Sequence, residues 1–237
     1  FGSAGTRTKY TISVWVKRSK LGSTQCIFSA GTDSSHSMTI TFNGADDRLY
    51  WNSYSGNGAN YDYFLNCTRR FRDVSAWYHI VCAFDSTQST ASDRMKIYIN
   101  GVQETSFAAS TYPDVNFAGY IFNNILHEIG QDVGAGSMFF DGSMSHFHGV
   151  DGTALAPTVF GETDSTTGEW KINTSPSVTY GTNGFFILKD GNSVTDQSGN
   201  SNNFTVAGGT LTNTEDCPSN NFATLNPLYV INASHMP

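Results

Sequence analysis

Aromatic and amide side chains cluster between residues 53 and 63 of this sequence. The tyrosines are Tyr54, Tyr61 and Tyr63, and their polar neighbours are Asn57, Asn60 and Asp62. Sugar recognition needs an aromatic ring for the apolar face of the sugar and fixed polar groups for its hydroxyls. The Gly and Asn content predicts an exposed loop. Two roles stay open for these six residues, a glycan-binding site and a solvated turn.

The carboxylates at 162, 164 and 169 have the composition of a glycosidase site. Retaining glycosidases place two carboxyl groups about 5 Å apart beside the scissile bond. Glu162, Asp164 and Glu169 lie in a Gly- and Thr-rich segment, which predicts a solvated acidic loop with no strand to hold them. The sequence has no Gly-x-Ser-x-Gly elbow and no glycine loop for phosphate. We therefore predict no catalytic residue and a non-enzymatic role.

Histidine and cysteine spacings give no metal site. His146 and His148 stand two apart in a strand pattern, so both side chains should emerge from one face. Zinc needs three or four ligands, so hydrogen-bonded or exposed sheet histidines are expected instead. The cysteines, which include no Cys-x-x-Cys pair, are Cys26, Cys67, Cys82 and Cys217. Those at 26 and 82 fall in apolar strand patterns typical of core residues, and the pairing of the four stays open.

Composition and charge restrict the partners. The formal net charge is −7, and 14% of the residues are charged. A phosphate backbone requires clustered Lys and Arg, so this balance argues against a nucleic-acid partner. No apolar run is long enough to span a membrane, and no membrane insertion is expected. Low charge with abundant Gly, Ser, Thr and Asn is typical of extracellular or virion all-β proteins.

The elements that would position these residues are strands. Apolar side chains alternate through residues 10–17 and 76–85, as one buried sheet face requires. The segment 95–101 ends in Asn100-Gly101, which suits the positive φ angles of a hairpin turn. Further strands are predicted over residues 25–30, 38–43 and 48–52. Because no segment has a helical period, we predict an all-β, two-sheet antiparallel jelly-roll sandwich.

These segments also occur in a recognisable order. They are TISVWVKRS, AWYHIVCAFD, KIYINGVQ, IGQ and FFDGSMSHFHGVDGTALAPTVFG, within residues 8–161. In this order they resemble laminin-G-like, concanavalin A-type jelly-roll domains. More narrowly, the opening FGSAG…WVKRSKLG and the tail DQSGNSNNFTVAGG…NTEDCPSNNFATLNP resemble structural proteins of marine tailed bacteriophages. The narrower resemblance implies a virion-surface location, with other virion proteins, further copies of the chain and host-surface polysaccharide as partners.

The family resemblance also implies a test for calcium. Laminin-G-like modules are similar to one another in a calcium site at the sandwich rim, built from loop oxygens. Their acidic pair after the FDG sequence corresponds here to Ser145 and His146. This departure argues against calcium, and no cofactor is predicted. Loop oxygens remain at Asp46, Asp47, Asp62, Asp85, Asp190, Asn192 and Asp196, residue types that turns also select.

Three regions follow one another along the chain. Residues 1–161 form the predicted sandwich, and 162–180 a connector anchored by Trp170. Residues 181–237 are a C-terminal region with a strand over 181–190 and a second segment, 196–206, that opens with an Asp-x-Ser-Gly-Asn turn and continues as strand. These last strands either complete the sandwich or open a second module. The first reading is favoured because an isolated strand pair is only marginally stable in water. The start at Phe1, without Met, predicts a piece of a longer polypeptide.

The prediction for function is a non-enzymatic structural or adhesion module of a tailed-bacteriophage virion. It would be a capsid decoration, fibre or tail-associated protein that binds host-surface glycans through the tyrosine loop. The alternative is a free carbohydrate-binding lectin or a glycoside hydrolase module. Trp15 and Trp77, on faces opposite the aliphatic rows, are expected to pack under loops, with a neighbouring subunit or a glycan as the other possible contacts.

Overall fold

The computed structural model of the chain describes residues 1–56, 61–133, 136–189, 191 and 193–219. Within these ranges, helix is confined to the 3-10 turns Ala91–Asp93 and Pro157–Val159, and neither is long or apolar enough to cross a membrane. The strands of the described residues, in chain order, are β1 (Lys9–Arg18), β2 (Gln25–Asp33), β3 (His36–Phe42), β4 (Arg48–Ser55), β5 (Tyr63–Arg70), β6 (Tyr78–Asp85), β7 (Met95–Ile99), β8 (Val102–Gln103), β9 (Phe107–Thr111), β10 (Leu126–Ile129), β11 (Gly142–Asp151), β12 (Gly161–Thr163), β13 (Trp170–Ile172) and β14 (Phe185–Ile187).

Most of these strands form two antiparallel sheets. Sheet A has the order β14-β11-β1-β6-β7-β8, and sheet B has the order β10-β2-β3-β4-β5-β9. A separate hairpin contains β12 and β13. Asn100 and Gly101 adopt φ angles of 49° and 80° in the turn between β7 and β8, as their sequence predicts. The arrangement confirms the predicted all-β, two-sheet sandwich.

The core lies between the two sheets and follows the alternation in the sequence. The inward side chains of β1 are Tyr10, Ile12, Val14 and Val16, and all are buried. They meet inward residues of sheet B, including Phe28, Ile40, Trp51 and Leu65. Cys67 and Cys82 belong to this core, and all four cysteines are free thiols.

The C-terminal region contributes one edge strand to sheet A. β14 pairs with β11, and Phe185 and Ile187 enter the core. The turn that the sequence predicts at Asp196 is present, but the second strand expected within residues 196–206 does not form. The Asp196 carboxylate holds this turn. It accepts hydrogen bonds from the backbone N–H groups of Phe186, Ser198 and Asn202. The proposed region boundaries at 161 and 180 stay a prediction.

The connector covers the outer face of sheet A. His79 lies between the rings of Trp15 and Trp170, at centroid distances of 4.8 and 5.9 Å. The Trp170 Nε1–H donates to His79 Nδ1 at 3.0 Å, so the Nε2–H of His79 donates to Ser13 Oγ at 2.9 Å. Trp15 and Trp77 are buried, as expected of tryptophans packed beneath loops. The outer face of sheet B is the face that this connector leaves uncovered.

Candidate functional site

The outer face of sheet B carries polar and aromatic side chains, and we call it the polar face. Alternation along the strands turns residues such as Thr39 and Asn52 outward while Ile40 and Trp51 point into the core. The members of the polar face are Ser29, Thr39, Tyr50, Asn52, Tyr54, Phe64, Asn66 and Glu128 on the strands, with Tyr61 and Asp132 from the adjoining loops.

The strand register aligns part of this face in one row. The row consists of Glu128, Ser29, Thr39, Asn52 and Phe64, on five neighbouring strands. Adjacent strands lie about 4.8 Å apart, so the row is about 19 Å long. Thr39 Oγ1 donates to Asn52 Oδ1 at 3.0 Å, which fixes the amide in the middle of the row.

An aromatic stack forms one end of the polar face. The Tyr61 ring lies 4.4 Å from the Phe64 ring at 9°, and 4.5 Å from the Tyr54 ring. Tyr50 packs edge-on against Phe64 at 5.2 Å. Tyr61 is 37% exposed, so the stack presents a ring to solvent. Such a ring is suited to the apolar face of a sugar.

Two carboxyl groups lie at the opposite end of the polar face. Ser29 Oγ donates to the Gln131 carbonyl at 2.9 Å and accepts from the Val133 N–H at 3.0 Å, so residues 131–133 fold across β2. This fold places Asp132 near Glu128, and Asp132 is only 5% exposed. Asp132 Oδ1 and Glu128 Oε2 are buried without a hydrogen-bond partner among the described residues.

The charges at this end act on one another. Burial raises the pKa of Asp132, and the nearby Glu128 carboxylate raises it further. Burial also raises the pKa of Tyr54, with contributions from its hydrogen bond to Tyr61 and from the charge of Asp132. The aromatic stack and the carboxyl pair therefore belong to one electrostatic environment. A buried carboxyl oxygen without a partner costs free energy, and its retention points to a ligand or a water molecule.

The structure separates the six residues predicted from the tyrosine loop. Tyr54 and Tyr61 come together in the aromatic stack. Asp62 accepts hydrogen bonds from Ser53 Oγ at 3.0 Å and from Ser55 Oγ, and so closes the turn. Asn57 and Asn60 lie outside the described residues.

Tyr63 corrects the prediction of one exposed loop over residues 53–63. β4 continues to Ser55 and β5 begins at Tyr63, so both ends of the segment are strand. Tyr63 is 0% exposed, and its hydroxyl lies 3.3 Å from that of Tyr10 in the core. A buried ring offers no face to a glycan.

Several members of the polar face were missed by the sequence argument. Alternation through Tyr63, Leu65 and Cys67 implies that Phe64 points outward, so that signal was available. No alternation pattern in the sequence marks Asp132 or Glu128 as members of this face. They reach the site because β10 pairs with β2, which is distant along the chain.

The acidic segment of the connector forms an exposed hairpin. The expectation that it lacks a strand is wrong, since β12 pairs with β13 and Glu162 faces Lys171 in the register. The hydrogen bond from Lys171 holds the pKa of Asp164 below its usual range, and the Thr166 and Thr167 N–H groups also donate to that carboxylate. These contacts are those of a turn.

The two sheet histidines are buried and hydrogen-bonded. His148 Nδ1 lies 2.9 Å from the Tyr180 hydroxyl, and its ring stacks on Phe186 at 3.9 Å. His146 Nδ1 lies 2.8 Å from Ser145 Oγ. Within the described ranges, no group of three or more His, Cys, Asp or Glu side chains could hold a metal ion.

Within the described residues, the carboxylates named for the implied calcium site make other contacts. Asp47 is paired with Arg18 at 3.3 Å and with Arg72 at 3.1 Å. Asp46 contacts Arg48 at 3.5 Å. Asp85 binds Lys9 at 3.3 Å, and Asp196 holds its turn. Asp190 and Asn192 lie outside the described residues.

Comparison with known families finds one match. The family described as the concanavalin A-like lectin/glucanases superfamily matches residues 3–159. Among curated proteins, no sequence matches the chain significantly.

Solved structures give distant matches. Domain 4 of AbnA, a GH43 extracellular arabinanase from Geobacillus stearothermophilus, in complex with arabinotriose, is 21% identical with a TM-score of 0.46, over 65% of this chain and 65% of that chain. The Ruminococcus gnavus IT-sialidase CBM40 is 14% identical with a TM-score of 0.46, over 65% of this chain and 80% of that chain. The native heptameric SAP-like pentraxin from Limulus polyphemus is 18% identical with a TM-score of 0.43, over 66% of this chain and 69% of that chain.

Proposed function

Because this chain belongs to the concanavalin A-like lectin/glucanase superfamily, we propose that it is a non-enzymatic carbohydrate-binding module whose ligand lies on the polar face of sheet B. The observation that carries the proposal is the pairing of an exposed aromatic stack with unsatisfied buried oxygen atoms. Tyr61 supplies a ring for the apolar face of a sugar, and the half-exposed Glu128 carboxyl group, with Asp132 buried near it, supplies an acceptor for its hydroxyls.

The test is glycan binding by the full chain and two variants. We expect wild-type protein to bind members of a glycan array, and Tyr61→Ala to lower the affinity at least about tenfold, or about 1.4 kcal/mol. Phe139→Ala is the matched control, because Phe139 is a more exposed ring outside the polar face, 62% exposed. Equal binding by wild type and Tyr61→Ala, or no binding to any glycan, would overturn the proposal.

A glycoside hydrolase is the second candidate. The observation that favours it is the raised pKa of Asp132 beside Glu128, since acid catalysts are often kept protonated in this way. Both carboxyl groups, however, stand on the β10 side of the polar face, whereas glycosidase carboxylates flank the scissile bond. We therefore expect no release of reducing ends from any bound glycan. Release that Glu128→Gln abolishes would establish the enzyme instead.

We propose the surface of a tailed-bacteriophage virion as the place of action, with host-surface polysaccharide as ligand. The support is the resemblance of the opening and the tail of the sequence to structural proteins of such phages. On a particle, many copies convert weak contacts into useful adhesion. Antibodies against the chain should label the outside of the phage particles that encode it, and absence of the chain from purified particles would contradict this location.

Binding is proposed to need no metal ion, because the polar face supplies its own ring and acceptor atoms. Glycan affinity should therefore be the same after dialysis against EDTA. An affinity that falls on chelation and returns with calcium would show that a cation completes the site.

A further inference from the structure

We infer that the polar face selects glycans without acidic groups, and that Asp132 and Glu128 determine this specificity. The inference rests on the proposed carbohydrate site and adds the chemical class of its ligand. It also gives the carboxyl pair a function other than catalysis.

The polar face has hydrogen-bond acceptors that lack donors. The polar face holds three buried side-chain oxygen atoms that lack a partner in the described part of the chain: Asp132 Oδ1, Glu128 Oε2 and Asn66 Oδ1. A ligand that satisfies such a surface must donate hydrogen bonds. Sugar hydroxyls donate, whereas an ionised carboxylate or sulfate ester only accepts. The acidic group of a charged sugar could therefore not satisfy these oxygen atoms, whereas a hydroxyl at the same position could.

The negative charge of the carboxyl pair also disfavours an acidic ligand. An acidic group placed between the aromatic stack and residues 131–133 would face two carboxyl groups in a shielded environment, where like charges repel strongly. Within the protein, burial raises the pKa of Asp132 and the Glu128 charge raises it further, so charges at this place act on one another. The chain as a whole carries a formal charge of −7, which adds to the repulsion.

An acidic ligand would need positive charges nearby. On the strands of the polar face, within the described residues, the arginines are Arg48, Arg69 and Arg70, and Arg69 is paired with Glu104. Arg48 lies four residues from Asn52, or about 13 Å along the strand. Arg48 is also paired with Asp46, and Arg70 donates to the Asp46 carbonyl at 2.8 Å. Both guanidinium groups are thus held beside Asp46, at the start of β4, whereas Tyr54 of the aromatic stack lies near the other end of that strand.

The experiment compares oligosaccharides that differ only at C6. The probes are the β-1,4-linked hexamers of mannose and glucose and their mannuronate and glucuronate counterparts, alongside the full array. Binding is measured at pH 7 and low salt with wild type, the Glu128→Gln/Asp132→Asn double variant, and Asp114→Asn as an exposed acid control. We expect wild type and the control to prefer the neutral member by about tenfold or more. In the double variant, the ratio of the affinity for the neutral member to that for the uronate member should be close to one.

The outcomes separate this inference from the proposed function. Wild type that binds uronate and neutral members equally overturns the specificity but leaves a carbohydrate site. A neutral preference that the double variant retains shows that other groups set it, and also overturns the inference. Failure of every glycan on the array overturns the proposed function, and the specificity falls with it.

Discussion

The Asp132 carboxyl group is expected to lower the stability of the fold while it contributes to ligand binding. It is nearly buried, its Oδ1 lacks a partner among the described residues, and Glu128 lies close enough to raise its pKa. Retaining an unsatisfied buried carboxyl group costs stability and is typical of functional sites. A neutral amide of the same shape should therefore make the protein more stable and bind less well.

Asp132→Asn should raise the free energy of unfolding at pH 7 by about 1 kcal/mol. Because the folded pKa of Asp132 is raised above its unfolded value, ionisation destabilises the fold as pH rises through that interval. The gain should accordingly be largest near neutral pH and vanish below the unfolded pKa of about 4. Urea unfolding at pH 4.5 and pH 7 measures it, with Asp114→Asn as control. A loss of stability at pH 7 would show that the carboxylate is satisfied.

The variant Tyr63→Phe tests whether Tyr63 acts in the core or in the binding site. The change removes a hydroxyl that lies 3.3 Å from the Tyr10 hydroxyl and leaves the ring in place. We expect it to lower the free energy of unfolding by about 1 kcal/mol, with glycan affinity unchanged. Thermal denaturation and a binding titration on the same sample measure both. A weaker glycan affinity with unchanged stability would show that Tyr63 belongs to the ligand site.

Two residues of the candidate site were predicted from the sequence. Tyr54 and Tyr61 were selected from residue type and turn composition, and the structure brings them together. Tyr63 was included because the tyrosines were counted without applying strand alternation beyond residue 52. Asp132 was missed because its position depends on which strand β10 pairs with, and no local pattern encodes that choice.

At the scale of elements, the connector is expected to act as a stabilising cover of sheet A. Its Trp170 packs on His79, which also stacks on Trp15. The same contact includes the hydrogen bond from Trp170 Nε1 to His79 Nδ1. Sheet A and the polar face lie on opposite outer surfaces of the sandwich, so changes in the connector should affect stability without affecting binding.

Trp170→Ala should lower the free energy of unfolding by about 2 kcal/mol, since Trp170 is half-buried and both packing and a hydrogen bond are lost. Trp170→Phe keeps a ring against His79, so it should lower the free energy of unfolding by about 1 kcal/mol less than Trp170→Ala does. Denaturant unfolding measures both variants, and a titration should find their glycan affinity within twofold of wild type. A large loss of affinity would mean that the connector takes part in binding.

Strands with clear alternation were predicted correctly at this scale. β1, β6 and β7 follow their apolar periodicity because one face of each is buried against the core. The hairpin of β12 and β13 was missed because its short, half-exposed strands have no apolar period. The Asp-x-Ser-Gly-Asn sequence correctly indicated a turn at Asp196. The strand expected after this turn does not form, because the Asp196 side chain accepts hydrogen bonds from backbone N–H groups in place of ladder bonds.

At the scale of the whole molecule, buried neutral histidines should make the fold sensitive to acid. Burial lowers the pKa of His79 to about 3 and places that of His148 well below its ordinary value. For a base whose folded pKa is depressed, stability is complete above the unfolded pKa and is lost as pH falls below it. These two groups alone give a slope that approaches about 2.7 kcal/mol per pH unit below pH 5.5.

Urea unfolding from pH 7.5 to pH 4.5 measures this dependence. We expect the free energy of unfolding to be level above pH 7 and to fall increasingly steeply below pH 6.5. In parallel, the His79 ring resonances should show no titration step above pH 4. A stability that stays constant to pH 4.5 would contradict the burial of neutral rings at these two positions.

The fold as a whole was the most predictable property, and the function was the least. Five segments in a fixed order identified the sandwich because each reflects burial of one strand face. The candidate site depends on side chains that five strands and two loops bring together, which only the pairing of the strands reveals.

The most direct test of the central claim is an NMR titration of the full chain with the neutral glycan that binds most tightly on the array. The account predicts chemical-shift changes concentrated at the backbone amides of Asn52, Tyr54, Tyr61 and Phe64, with those around His79 and Trp170 unaffected. Changes that cluster on sheet A, or an unchanged spectrum of the polar face at saturating glycan, would contradict it.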